Sequence, residues 1–169
     1  MIYPIVKFGD PVLEKPCAVI TVFDDELRQL AADMFESMYA AQGVGLAAPQ
    51  IGISKRIAVI DVTFKADPEA KIVLINPEIV HTEGRITSNE GCLSLPEFRE
   101  KVTRARSVTA RAQDLEGKTI EVEGEDLLAR ALLHETDHLN GKLYINHVSA
   151  LKRDLIKRKV RKLMKQGEW

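Results

Sequence analysis

Aromatic residues make up only 5% of the 169 positions, so a core of ordinary size must rest on Leu, Ile, Val, Ala and Met. Cysteine is scarcer still. Cys17 and Cys92 are the only two, which excludes a disulfide-stapled scaffold and leaves at most one bridge between them. In a reducing compartment a lone thiol beside other ligand-type residues more often binds metal or reacts. No run is apolar for long enough to span a membrane. The opening Met1-Ile2-Tyr3-Pro4-Ile5 lacks the basic segment and apolar stretch of a signal peptide. The expectation is a cytoplasmic protein without a membrane partner. Charge of one sign is lacking too. A net charge of −1 gives no whole-molecule field that would gather DNA. Repeats, low-complexity tracts and linkers are absent, so residues 1–169 are expected to form one domain.

What is present is patterned. Pro4, Pro11 and Pro16 keep residues 1–20 irregular. From Asp24 to about Ala41, Leu27, Leu30, Met34 and Met38 recur at helical spacing, with Asp24 or Asp25 as cap and Gly43 as terminator. Strands are expected at 56–62 and at 71–75, the latter closed by Asn76-Pro77, with 79–82 continuing the sheet. Val102–Ala112 alternates in part and is rich in Arg and Thr, which suits a half-exposed strand, and Asp114-Leu115-Glu116-Gly117 turns it into a partner at 118–122. Helices are expected from about Glu125 to Leu139, ended by Asn140-Gly141, and from Ser149 to about Gln166. The fold class is α+β: short, mostly antiparallel strands around a central helix, plus a C-terminal helix.

The central helix carries His134-Glu135-Thr136-Asp137-His138. Four residues is slightly more than one helical turn, so both imidazoles leave one face and can grip one ion. Leu127 and Ala131 share that stripe and point it inward. Glu135 sits beside it, able to reach a metal-bound water without being a ligand, as a general base must. Two histidines so spaced can also be ordinary core residues. Downstream of His138 no histidine or convincing acid completes the set: position 144 is Tyr, and only Asp154 and Glu168 are acidic. The third ligand is therefore sought upstream, at Cys92 in Glu90-Gly91-Cys92-Leu93-Ser94-Leu95-Pro96. A Cys/His/His set with an open position is the catalytic form of a metal site; a fourth protein ligand, His81 or Cys17, would make it a closed structural one. The third segment is Gly43-Val44-Gly45-Leu46-Ala47-Ala48-Pro49-Gln50. Its small residues permit close backbone approach, and Gln50 can donate to a developing oxyanion.

Together GVGLAAPQ (43–50), EGCLS (90–94) and HETDH (134–138) resemble the three signature motifs of peptide deformylases, in the family's order and at its spacings. The resemblance implies a metal-dependent hydrolase that removes the formyl group from N-formylmethionyl nascent peptides. It implies one divalent ion, Fe(II) in the cell, with Zn, Ni or Co able to replace it, on Cys92, His134 and His138. Glu135 matches the acid/base, and Gln50 and the N–H of Leu93 match the oxyanion donors. Val44, Gly45 and Gly91 match backbone partners of the substrate. Glu90, Arg104 and Asp137 match buried polar groups that brace the ligands. Leu133 and Arg130 depart from one common form of the pattern. Arg130 stands where some relatives have an aliphatic residue in the methionine pocket, which leaves that wall open to question.

The C-terminal helix sets Lys152, Arg153, Lys157, Arg158, Lys159, Arg161, Lys162 and Lys165 against Asp154 alone, with an apolar stripe of Leu151, Leu155, Ile156, Val160 and Leu163. It reads either as a solvated helix packed on the domain or as a contact for phosphate backbone. In resembling enzymes such a helix docks on the ribosome.

Overall fold

The computed structural model describes all residues 1–169. Helix α1 (Asp25–Ala40) begins where Asp24 Oδ1 accepts from Leu27 N at 3.0 Å, with Asp25 and Glu26 in the first turn. It ends one residue earlier than its glycine suggests. Gln42 takes the left-handed conformation at φ 59°, and Gly43 N closes back on Met38 O. Three short elements follow: β1 (Gly45–Ala47), a 3₁₀ turn (Ala48–Ile51) and β2 (Ile57–Ile60). Every residue of β2 is buried because the sheet is covered on both faces. Ile57 and Val59 join Met34 and Met38 of α1 in one cluster, and Ile60 joins the cluster on the opposite face.

Strand β3 (Ile72–Glu83) does not stop at Asn76-Pro77. Asn76 adopts φ 51° and the register shifts there, so the pair makes a bulge within one long strand. The Asn76 side chain exchanges hydrogen bonds with the backbone of Ile20 (2.9 and 2.8 Å) and donates to Gln113 Oε1 at 2.8 Å. The expected strand over Val102–Ala112 is also corrected. Two strands meet there, β5 (Leu95–Arg104) and β6 (Ser107–Gln113). β5 pairs only with β4 (Ile86–Cys92) in a two-stranded ribbon. β6 lies in the antiparallel five-stranded sheet of order β1-β2-β3-β6-β7, where β7 is Thr119–Glu125. Alternation is partial on both sides of the corner, so the pattern alone does not show the change of sheet.

Helix α2 (Leu127–Leu139) lies on the face opposite α1, with Ala129, Ala131 and Leu132 packed on Leu74, Ala110 and Ala112. Helix α3 (Ala150–Lys165) is capped by Ser149, whose side chain accepts from Lys152 N. It buries only Ile156 and Val160, against Leu95, Val102 and Tyr144, and leaves Leu151 and Leu155 exposed, so its apolar stripe is narrower than expected. No helix is long and apolar enough to cross a membrane.

Candidate metal centre and cleft

Two elements bring the donors together. Cys92 is the last residue of β4, just before the Leu93-Ser94 turn that returns the chain as β5, and Ser94 O is held by Phe8 N at 2.7 Å. His134 and His138 project from adjacent turns of α2. The ligand atoms of the three lie within 4.8 Å of one another: Cys92 Sγ is 3.4 Å from His138 Nε2, which is 3.1 Å from His134 Nε2. A tetrahedral ion with bonds of about 2.0–2.3 Å places its ligands about 3.3–3.8 Å apart, so the trio fits one. His81 and Cys17 do not join it. His81 is exposed beside Glu83, and Cys17 is buried among Ala47, Ala58 and Leu139. Both cysteines are free thiols, so the alternative of a bridge between them is set aside.

His134 is aimed from behind. Its Nδ1 lies 2.6 Å from Glu90 Oε1, which turns Nε2 toward the shared space. Glu90 also accepts from Arg104 Nη2 (2.7 Å), Arg104 Nε (3.1 Å) and Arg130 Nη1 (2.7 Å). Burial works against its charge, but His134 and Arg104 outweigh burial and hold the carboxyl well below the usual range. Arg104 reaches on to Asp137 Oδ2 at 2.8 Å, an oxygen that His147 Nε2 meets at 2.8 Å from the other side. Arg130 does not point its charge into open space. Its guanidinium also donates to Ile86 O and Val102 O, both at 3.2 Å, and the residue lines the cleft.

Glu135 is buried, and its Oε1 has no hydrogen-bond partner. Burial pushes its carboxyl up to about 7, against the pull of His134. Gly45 lies against it: a Cβ there would meet Oε2 at 2.5 Å. Gln50 is held by Ala47 N, which donates to its Oε1 at 3.0 Å, and this aims its Nε2 at Cys92 Sγ (3.4 Å) and Ser94 Oγ (3.2 Å). Gln50, Val44, Gly45, Gly91, Leu93 and Glu135 all line a cleft of about 490 Å³. Ala131 is buried in its wall, whereas Leu127 stands half-exposed at its mouth rather than steering the histidines inward.

The polypeptide deformylase family model matches residues 2–154. The chain belongs to that family. A peptide deformylase of Acidobacterium capsulatum is 62% identical over 169 residues, covering 100% of this chain and 99% of that protein. One from Alkalilimnicola ehrlichii is 47% identical, over 98% of this chain and 93% of its own length. The crystal structure of a Legionella pneumophila peptide deformylase superposes with a TM-score of 0.90 at 45% identity, covering 99% of this chain and 98% of that one. The α+β architecture is therefore that of the deformylases, and the chain is a hydrolase. In this deformylase, sequence reasoning missed three supports. Ser94 receives the Gln50 amide, His147 backs Asp137, and Arg130 adds a second arginine to Glu90. Arg130 carried a signal: an arginine one turn before an inward histidine must find a counter-charge. Ser94 carried one only as the last residue of EGCLS, and His147 carried none.

Proposed function

We propose that residues 1–169 act as one catalytic domain, in the cytoplasm, removing the formyl group from the N-terminal formylmethionine of nascent polypeptides. Cys92, His134 and His138 hold one divalent ion, Fe(II) in the cell, with Zn, Ni or Co able to replace it. The observation that carries this reading is the convergence of three ligand atoms within 4.8 Å beside a buried carboxylate with an unpartnered oxygen. A bound ion supplies Lewis acidity, polarising a carbonyl and making water more acidic. The chain's own groups do the rest. Glu135 takes the proton of the attacking water and returns it to the leaving amine; a carboxyl near 7 suits both steps. The Gln50 amide and the Leu93 N–H donate to the oxyanion. Val44, Gly45 and Gly91 present backbone to the peptide. Glu90, Arg104 and Asp137 keep the ligands in place. The stem of Arg130, with Leu127 and Ala131, gives the methionine side chain an apolar wall.

The closed structural site is disfavoured because no fourth protein donor reaches the trio. A peptide deformylase of Synechococcus elongatus has been crystallised with actinonin, which makes that compound a suitable active-site probe here. The ribosome is proposed as partner through α3, on the strength of its exposed Lys152, Arg158, Lys159, Arg161, Lys162 and Lys165.

The test is hydrolysis of formyl-Met-Ala-Ser by anaerobically purified protein, with metal content measured on the same sample. The wild type is expected to release formate and to carry about one ion per chain. Glu135→Ala should keep the metal and lose about 10²–10⁴-fold in rate. Tightly bound zinc without formate release would overturn the reading, and near-normal turnover by Glu135→Ala would overturn the role of that residue.

A further inference from the structure

Phe98 of β5 lines the cleft, and what supports it from behind is not part of the catalytic motifs. After α3 the chain turns at Gly167 (φ 70°), and Glu168 N returns to Leu163 O at 2.9 Å. That turn lays Trp169 on the ribbon. The indole donates Nε1–H to Phe8 O at 2.7 Å, and its ring and that of Phe98 form a T-shaped pair with centroids 5.9 Å apart and planes at 73°. The Lys7 ammonium lies over the indole at 5.9 Å. Both rings are half-buried in the cluster that also holds Cys92, Ile156 and Val160. The indole is thus held at its polar atom, over one face by Lys7, and by the Phe98 ring. Phe98 has the cleft on one side and this anchored ring on another.

We propose that Trp169 is a positioning residue for substrate binding: it fixes the Phe98 ring as an apolar wall of the cleft and thereby couples the end of α3 to the occupancy of the site. This inference rests on the proposed deformylase reading for the identity of the substrate. The physical reason is that an aromatic ring with an edge-to-face partner has fewer accessible rotamers than one facing solvent. A wall held in place pre-pays ordering that the peptide would otherwise meet on binding. The contribution falls on binding, because Phe98 touches neither Glu135 nor the donor trio through any hydrogen bond and carries no group that could move a proton.

Trp169 is also the only tryptophan, so its emission reports on this contact without labelling. The experiment uses the full-length, metal-loaded protein with formyl-Met-Ala-Ser as substrate and Met-Ala-Ser as the non-reacting ligand. Trp169→Ala is expected to raise KM about threefold to tenfold with kcat within twofold of wild type, and Trp169→Phe to restore most of the loss. Met-Ala-Ser should shift the emission of the wild type, and Phe98→Ala should abolish that shift. Equal KM values for wild type and Trp169→Ala, or an emission unmoved by saturating peptide, would overturn the proposal. So would a fall in kcat with no change in KM, or a loss that Trp169→Phe fails to restore. Should the wild type itself release no formate while its emission still responds to the peptide, the deformylase reading fails and the coupling of Trp169 to the cleft stands.

Discussion

Gly45 shows how little room separates the backbone of β1 from the Glu135 carboxylate. A methyl group there would enter the space of the Glu135 carboxylate, with contacts of 2.5 and 2.9 Å to its Oε2 and Cδ. Glu135 is buried and cannot swing into solvent without emptying its site. Gly45→Ala is therefore expected to lower kcat by about 10²-fold while leaving the circular dichroism spectrum unchanged, because a misplaced acid/base costs rate rather than fold. Retention of wild-type kcat would show that Glu135 has more freedom than its packing allows. At the same scale, Arg130 illustrates a departure that the fold absorbs. Its charge goes to Glu90 and two carbonyls although the residue lines the cleft.

Between elements, the joint of α1 with the end of β2 is a hydrogen-bonded knot. Fully buried Asp61 accepts from Tyr39 Oη at 2.5 Å, Thr63 Oγ1 at 2.7 Å, Thr63 N at 2.9 Å and Lys65 N at 3.0 Å. Its own N–H donates to Val44 O at 2.8 Å, beside β1. Burial works against the Asp61 charge, but these donors overcome it and lower the carboxyl to about 2; burial and Asp61 push the Tyr39 phenol up to about 12. The signs follow. A depressed carboxyl contributes stability above its unfolded value near 4, and this is lost as pH falls toward about 2. A raised phenol contributes below its unfolded value near 10, and this is lost as pH rises toward about 12. Tyr39→Phe should cost about 1–3 kcal/mol near neutrality, move the acid limb of the stability curve to higher pH and remove the alkaline fall. Urea titrations from pH 2 to 11 would measure this, and parallel curves for the two proteins would refute it.

Over the whole molecule, the basic side chains of α3 face outward while Ile156 and Val160 fasten the helix to the ribbon, away from the five-stranded sheet. A chain ended at Ser149 is expected to lose cosedimentation with ribosomes at low salt, and the binding of the intact chain should weaken steeply as salt rises. Unchanged cosedimentation would remove α3 as the contact. The local motifs were legible in the sequence because their chemistry is local. Helical spacing alone puts His134 and His138 on one face, and Asp24 and Ser149 announce two helix starts by the hydrogen bonds they can accept. The histidine pair and the acid/base candidate came from such a short-range pattern, whereas Cys92 was reached by elimination along the chain and by the family resemblance. Other features depend on partners distant in sequence. The strand run at Val102–Ala112 divides between two sheets because Arg104 turns into the buried network with Glu90 and Asp137, which alternation cannot express. Asn76-Pro77 reads as a strand end, yet Ile20 and Gln113 complete its hydrogen bonds and carry the strand on as a bulge. The sequence by itself determined which side chains have the chemistry to ligate or to carry a proton, and helical spacing set two of them on one face. Only the tertiary structure decided where Arg130, Trp169 and the β4–β5 ribbon stand, because each is placed by contacts that close between segments far apart along the chain.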